Sequence, residues 1–310
     1  MRHTIAVGVD GSEESLGAAR YAGAMAQRRR ASLTLTHGLL YSAGYGSLGF
    51  AAFAPALPTE SRDDAQALLD ATVAALRADY PDLDIDTVQV AQSGQMALIE
   101  LSRTADAVVV GHRGLGGFPE LLLGSVSAQV VAYAHCPVVV FRPGETTAPD
   151  APIVVGVDGS PESAAAMAFA FDEAAGQHVA LEALHVYPDT GEGSLAAEAF
   201  LDAALAPWLA EYPQAKVRRE VRPVLFLEDT ALRFRLGPAD NAESVFVDAS
   251  RHAALVVVGS RGRGELSGLL LGSVSQALVH CAHSPVAVIH SRGTALGAGS
   301  SARRGVTRIA

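Results

Sequence analysis

The chain has 310 residues, 49% of them apolar, which is enough for two ordinary domains with sizeable cores. Its 33 acidic and 23 basic side chains leave a formal charge of −10, which argues against a surface built to hold nucleic acid. Two cysteines without a CxxC, no apolar run of about 18 residues and no leader-like N-terminus exclude a disulfide scaffold, a zinc site and a membrane span. The expectation is a reduced cytoplasmic protein in which Cys136 and Cys281 are both buried thiols.

In chain order, short β-branched runs alternate with longer helical patterns. Strands are predicted at Thr4–Val9, Leu33–His37, Ile85–Val90, Ala107–Val110 and Val138–Phe141. Helices are predicted after Ser12, over Asp63 to Ala78, over Gln95 to Ser102, and after Ser125. The run Arg28-Arg29-Arg30 falls where the first helix should end, where cations suit the helix dipole. A Pro/Gly/Thr-rich stretch, 144–152, reads as a linker between domains at 1–143 and 153–291. Beyond it, strands are predicted at Ile153–Val157, Leu181–Val186, Val217–Val221, Leu255–Val258 and Val286–Ile289. A Gly/Ala/Ser/Arg-rich tail, 292–310, reads as disordered. Unbroken apolar runs such as Val108-Val109-Val110 suit strands covered on both faces, so each half is expected to be a doubly wound α/β domain on a parallel sheet. Ser12 and Ser160 can cap the first helix of each half, and Pro161 suits a first helical position.

The halves are copies. Ile5 to Ser12 returns as Ile153 to Ser160, 148 positions on (158 − 10), and the same shift carries His37 to His185, Gly111 to Gly259 and Pro137 to Pro285. Leu121 to Ser127 recurs unchanged as Leu269 to Ser275. Only the middle slips, since Tyr80-Pro81 matches Tyr212-Pro213. That slip places insertions at 41–58 in the first half and 223–240 in the second, in surface loops.

The strongest chemical signal is Gly111-His112-Arg113-Gly114, nine residues, then Gly124-Ser125. It is repeated as Gly259-Ser260-Arg261-Gly262, nine residues, then Gly272-Ser273. Each copy follows a valine strand and leads into a helix. Glycines let a backbone approach a ligand closely, and a helix N-terminus offers free N–H groups and partial positive charge, which together make an anion site. Ser125, Ser127, Ser273 and Ser275 add hydroxyls, and Arg113 and Arg261 are candidate phosphate partners. Asp10 and Asp158 end the first strands at the same sheet edge. They could serve a base, a ribose or a metal on phosphates, or simply close an Asx-type turn. The loops contain no lysine, the chain's single one being Lys216, so this is not the usual P-loop. Nor is it a Gly-x-Gly-x-x-Gly dinucleotide fingerprint. His37 and His185, at strand ends without a serine–acid partner, read as structural.

These motifs resemble the ATP-binding subgroup of the universal stress protein family, in tandem. The resemblance implies two five-stranded parallel sheets of Rossmann-like, adenine nucleotide alpha hydrolase-like type. It implies ATP as the ligand, with Mg²⁺ a candidate companion. It also implies a first site at Asp10, Gly111, His112, Arg113, Gly114, Gly124, Ser125, Val126 and Ser127. The second site would be Asp158, Val186, Gly259, Ser260, Arg261, Gly262, Gly272, Ser273, Val274 and Ser275. One departure is His37-Gly38 where the second half has His185-Val186, which removes an apolar contact from the first site. The family further implies a stress-response binding module and not an enzyme, its halves pairing as an internal pseudo-dimer and whole chains pairing again. The alternatives weighed are a weak Mg-dependent ATPase or nucleotidyl-transfer enzyme of related fold, and a flavin electron-transfer protein.

Overall fold

A computed structural model of the chain describes residues 3–38, 62–90, 92–114, 123–144, 148–189, 193–224, 241–263 and 270–290. The chain divides into two compact units, Met1–Arg142 and Pro143–Ala310. The first insertion, the tail and most of the second insertion lie outside the described residues.

Unit 1 runs β1 (Thr4–Gly8), α1 (Glu13–Arg29), β2 (Ser32–Gly38), α2 (Arg62–Asp79), β3 (Ile85–Val90), α3 (Gly94–Leu101), β4 (Ala107–Gly111), α4 (Ser125–Tyr133) and β5 (Val138–Phe141). Its strands lie in the order β3-β2-β1-β4-β5, every neighbour parallel. The valine runs behave as their pattern requires. Val108, Val109, Val138 and Val139 are fully buried because helices cover both faces of the sheet. Helices α1 and α2 pack together on one face, and α3 and α4 pack together on the other.

Unit 2 repeats the plan as β6 (Ile153–Gly156), α5 (Pro161–Gln177), β7 (Leu181–Pro188), α6 (Ser194–Glu211), β8 (Val217–Val224), α7 (Ala242–Ala249), β9 (Leu255–Gly259), α8 (Ser273–Cys281) and β10 (Val286–Ile289). Its strand order is β10-β9-β6-β7-β8, again parallel throughout. Both units are therefore the doubly wound α/β sheets that the periodicity predicts. Phe171 of α5 lies within ring-contact distance of Trp208 and Tyr212 at the far end of α6, at 5.8 and 5.3 Å between centroids, which locks those two helices together.

Helix starts follow the capping residues. Ser12 Oγ accepts from Ser15 N–H and Ser160 Oγ from Ser163 N–H, each at 3.1 Å, and Pro161 opens α5. Arg28 and Arg29 close the last turn of α1, and Arg30 turns left-handed (φ 52°) to end it, so the arginine run is a helix terminus.

Two expectations are corrected. Strand β8 continues through Pro223 and Val224, which the sequence places in the insertion. Among the described residues β8 pairs only with β7, and a strand with one open side has no ladder bond for Pro223 to lose. The second correction concerns the thiols. Cys136 is buried and burial pushes its pKa up to about 12, but Cys281 is exposed. Cys281 ends α8 off the inward stripe of Ser275, Leu278 and Val279, so helix phase turns it outward. Among the described residues no helix is long and apolar enough to cross a membrane.

Candidate functional site

In each unit two neighbouring strands send their connections to opposite faces: β1 and β4 in unit 1, β6 and β9 in unit 2. Such a switch point opens a crevice beyond the carboxyl ends of the strands. The aspartates and the glycine loops meet there.

The aspartates have a definite local job. Ser12 donates its N–H and its hydroxyl to Asp10 Oδ1, at 3.0 and 2.6 Å. Ser160 does the same to Asp158 Oδ1, at 2.8 and 2.7 Å. This is the Asx turn, with Gly11 (φ 85°) and Gly159 (φ 79°) in the left-handed conformation it needs. The second carboxylate oxygen faces the glycine loop. A Cβ on Gly114 would stand 2.1 Å from Asp10 Oδ2, and one on Gly262 would stand 2.6 Å from Asp158 Oδ2. Arg263 N–H also donates to Asp158 Oδ2 at 3.2 Å. The second glycine of each motif is thus required by the carboxylate beside it, where the sequence pointed to a ligand. The first glycine lets the loop press onto a helix. A Cβ on Gly259 would meet Glu162 Cβ of α5 at 2.7 Å.

The third glycine differs from the others. Gly124 and Gly272 are the N-caps of α4 and α8, with ordinary extended backbone (φ −71° in both). Among the described residues, a Cβ on Gly272 would meet nothing nearer than 3.5 Å, and one on Gly124 nothing nearer than 3.4 Å. Neither backbone strain nor packing among the described residues demands glycine at these two places. Having no side chain, they leave their helices uncapped, and the amides of the first turn lack intrahelical acceptors. Each loop is closed behind them: Gly124 N–H donates to His112 O and Gly272 N–H to Ser260 O, both at 2.8 Å.

The serines divide. Ser127 is buried and its hydroxyl donates to the carbonyl of Gly111, while the buried Ser275 hydroxyl lies 3.1 Å from the carbonyls of both Ser260 and Gly272. These two hydroxyls brace the loops, whereas the sequence reading takes them as extra donors for a ligand. Ser125 and Ser273, at the helix mouths, are exposed. Val126 is exposed and Val274 half-buried.

The two cations and the histidines also separate. Among the described residues Arg113 Nε and His112 Nδ1 are buried without a hydrogen-bond partner, whereas Arg261 is exposed. Burial, followed by the Arg142 charge, holds the His112 pKa below its ordinary value. His37 and His185 are structural, as expected. The ring Nδ1 of His37 lies 2.7 Å from Val9 O, and that of His185 lies 2.6 Å from Val157 O. A carbonyl can only accept, so Nδ1 carries the proton in both. Burial lowers the His185 pKa, its backbone bond to Val157 opposes this, and the Arg263 charge reinforces it.

At the second-strand end the units part. Val186 is half-buried on β7 beside Arg222. At the matching Gly38, a Cβ would lie 2.3 Å from Gly94 N and 2.8 Å from Gln92 O. The main chain of the β3–α3 connection fills the room a valine would need, which is why glycine stands there. Three further residues at this end escaped the sequence reading: Leu68, Phe200 and Arg263. Leu68 Cδ1 lies 3.3 Å from the Cβ position of Gly11, and Phe200 Cζ lies 3.0 Å from that of Gly159. Arg263 sits with its guanidinium carbon 5.0 Å from the centre of the Phe200 ring. No signal in the sequence joins helix α6 to the glycine loop. Among the described residues no group of three or more His, Cys, Asp or Glu side chains could hold a metal ion.

Comparison with known proteins bears on both units. The model described as "Universal stress protein family" matches residues 1–142 and 151–290. A universal stress protein of Mycolicibacterium smegmatis is 36% identical over 302 residues, covering 93% of this chain and 97% of its own. One from Mycobacterium tuberculosis H37Rv is 35% identical over 304 residues, covering 93% and 97%. Among solved structures, a universal stress protein from Archaeoglobus fulgidus superposes with a TM-score of 0.63 at 16% identity, over 93% of this chain and 96% of that one.

Proposed function

We propose, from the fact that this chain belongs to the universal stress protein family, that it is a binding module for ATP or a close adenine nucleotide, with one site per unit. Occupancy of those sites would regulate a partner in a stress response. One observation carries the reading. At Gly124 and Gly272 nothing among the described residues requires glycine, yet both positions head a helix without a side-chain cap. A seat that a single Cβ would fill, beside first-turn amides that have no intrahelical acceptor, suits an anionic group such as a phosphate. The exposed hydroxyls of Ser125 and Ser273 can add a bond each. The orphaned Arg113 Nε gives unit 1 a further donor.

We read the module as non-catalytic. Phosphoryl transfer needs charge stabilisation and an oriented nucleophile or water. The loops hold no lysine, and Asp158 is already engaged by Ser160 and by the Arg263 N–H. Nucleotide, with or without Mg²⁺, would bias one conformation only to the extent that it binds that conformation better. A cytoplasmic location and pairing of whole chains belong to the same proposal.

The test uses Gly272→Ser in the full chain. Serine is a better helix cap than alanine and at least the equal of glycine, so the melting temperature should hold or rise slightly. The added side chain fills the seat, so one of two nucleotide equivalents should be lost, as counted by mass spectrometry of ligand released from fresh protein. Two equivalents retained in the variant would remove the basis of the proposal. Sustained phosphate release from Mg-ATP by the parent would turn the reading to the enzyme.

A further inference from the structure

We infer that Arg263 is the residue through which unit 2 holds the nucleoside part of its ligand, and that it makes the two sites unequal. The inference rests on the nucleotide reading above and goes beyond it. Arg263 stands next to the second motif glycine, and its N–H is tied to the Asp158 carboxylate. Its terminal guanidinium nitrogen lies 2.3 Å from the Cβ position of Gly159, and the group rests on the Phe200 ring. Phe200 in turn packs against His185, at 4.5 Å between centroids. The cation is therefore held beside Asp158 and the β7 end of the crevice.

The chain carries its own control. The residue of unit 1 that matches Phe200 is Leu68, which touches Gly11 as Phe200 touches Gly159. The residue that matches Arg263 is Leu115. Unit 1 thus has leucine at both positions, and unit 2 has phenylalanine with arginine. The two replacements go together because each supplies what the other needs: a flat ring face and a delocalised cation to lie on it. A guanidinium fixed in this way offers a planar face for a purine to stack on and donors for its ring nitrogens. Arg263 is exposed, but the Phe200 ring covers one face of its guanidinium and holds it in place before the ligand arrives. Neutral His185, its proton committed to Val157, adds no competing charge beneath it.

The experiment titrates the full chain with two probes, adenosine and inorganic tripolyphosphate. Unit 1 is silenced by Gly114→Val. Into that background go Arg263→Leu and, separately, Phe200→Leu, both of which copy unit 1 and so suit the fold. Arg263→Leu should weaken adenosine roughly three- to fivefold, as expected for losing one cation–π contact at an exposed site. Phe200→Leu should act in the same direction by a smaller factor, and tripolyphosphate affinity should change less than about twofold in both. If Gly114→Val does not fold, Arg263→Leu in the otherwise natural chain should remove the tighter of two classes of adenosine site. Equal loss of adenosine and tripolyphosphate would mean that Arg263 acts on phosphate or through the loop, and the inference fails. Unchanged adenosine affinity also overturns it. A parent chain that takes up neither adenosine nor ATP sinks the underlying nucleotide reading, and that result is distinct from both.

Discussion

Units 1 and 2 keep the same glycine spacing and the same aspartate lock, yet they differ at the other end of the crevice. In unit 1 the wall after the second strand is main chain packed against Gly38, with Leu68 beside the turn glycine. In unit 2 it is the Val186 side chain, with Phe200 and Arg263 beside Gly159. The contrast shows which part of the site the fold dictates. The loop end is held by contacts that permit little change: carboxylate to glycine, serine hydroxyl to carbonyl, glycine N–H to carbonyl. The second-strand end is lined by side chains that can be exchanged without disturbing the sheet, and there the copies have diverged.

The largest effect should come from breaking the shared part. Gly262→Val sets a branched side chain where Asp158 Oδ2 now stands, 2.6 Å from the Cβ position. Either the loop or the Asx turn must move, at an overpacking cost of about 1–3 kcal/mol. Binding at unit 2 should weaken by roughly 10- to 100-fold, read by calorimetry, and the melting temperature should fall as well. This combination separates Gly262 from Gly272, where serine should cost binding and no stability. A Gly262→Val chain with parental melting temperature would show that the carboxylate is not the reason for this glycine.

How much of this was legible beforehand depends on the range of the interaction. The valine strands, Ser12 and Ser160 as caps, and the arginine helix end are local matters of period and capping, and all appear in the structure. The motif glycines could be found but not explained, because the carboxylate that requires Gly262 lies 104 residues upstream (262 − 158) and no pattern joins them. The same holds for the carbonyl partners of the Ser127 and Ser275 hydroxyls, which no sequence pattern announces. Phe200 and Arg263 meet only through the fold, so neither stood out. Cys281 was misjudged because composition says nothing of helix phase.

The next prediction exchanges the divergent walls. Gly38→Val would drive a side chain into the main chain at Gln92 and Gly94, and should destabilise unit 1 by about 2 kcal/mol, or roughly 4–8 °C in melting temperature. Val186→Gly, the reverse change, removes a half-buried side chain without creating a clash, and should cost about 1 kcal/mol. The ordering Gly38→Val worse than Val186→Gly is the sharp statement. The opposite order would mean that the 92–94 segment yields easily and that the walls differ in sequence alone.

The smallest effect concerns a difference far from the crevice. At the position where unit 1 has Thr34, unit 2 has Glu182, on the amino-terminal part of β7. Its side chain is 8% exposed and its carboxylate lies 3.3 Å from His252 Nε2. Burial raises the Glu182 pKa, the Glu220 charge on β8 adds to this, and His252 opposes it. Above the ordinary carboxylate range, folded unit 2 therefore keeps a proton that the unfolded chain has already released. Stability then falls as pH climbs through that window and is level below it. Glu182→Thr, which copies unit 1, should remove this slope. It should raise the melting temperature by roughly 1–3 °C at pH 7 and by nothing at pH 4, when variant and parent are compared at each pH. A gain of the same size at both pH values would assign the effect to packing. A loss at pH 7 would mean that the ion pair with His252 outweighs the burial of the carboxylate.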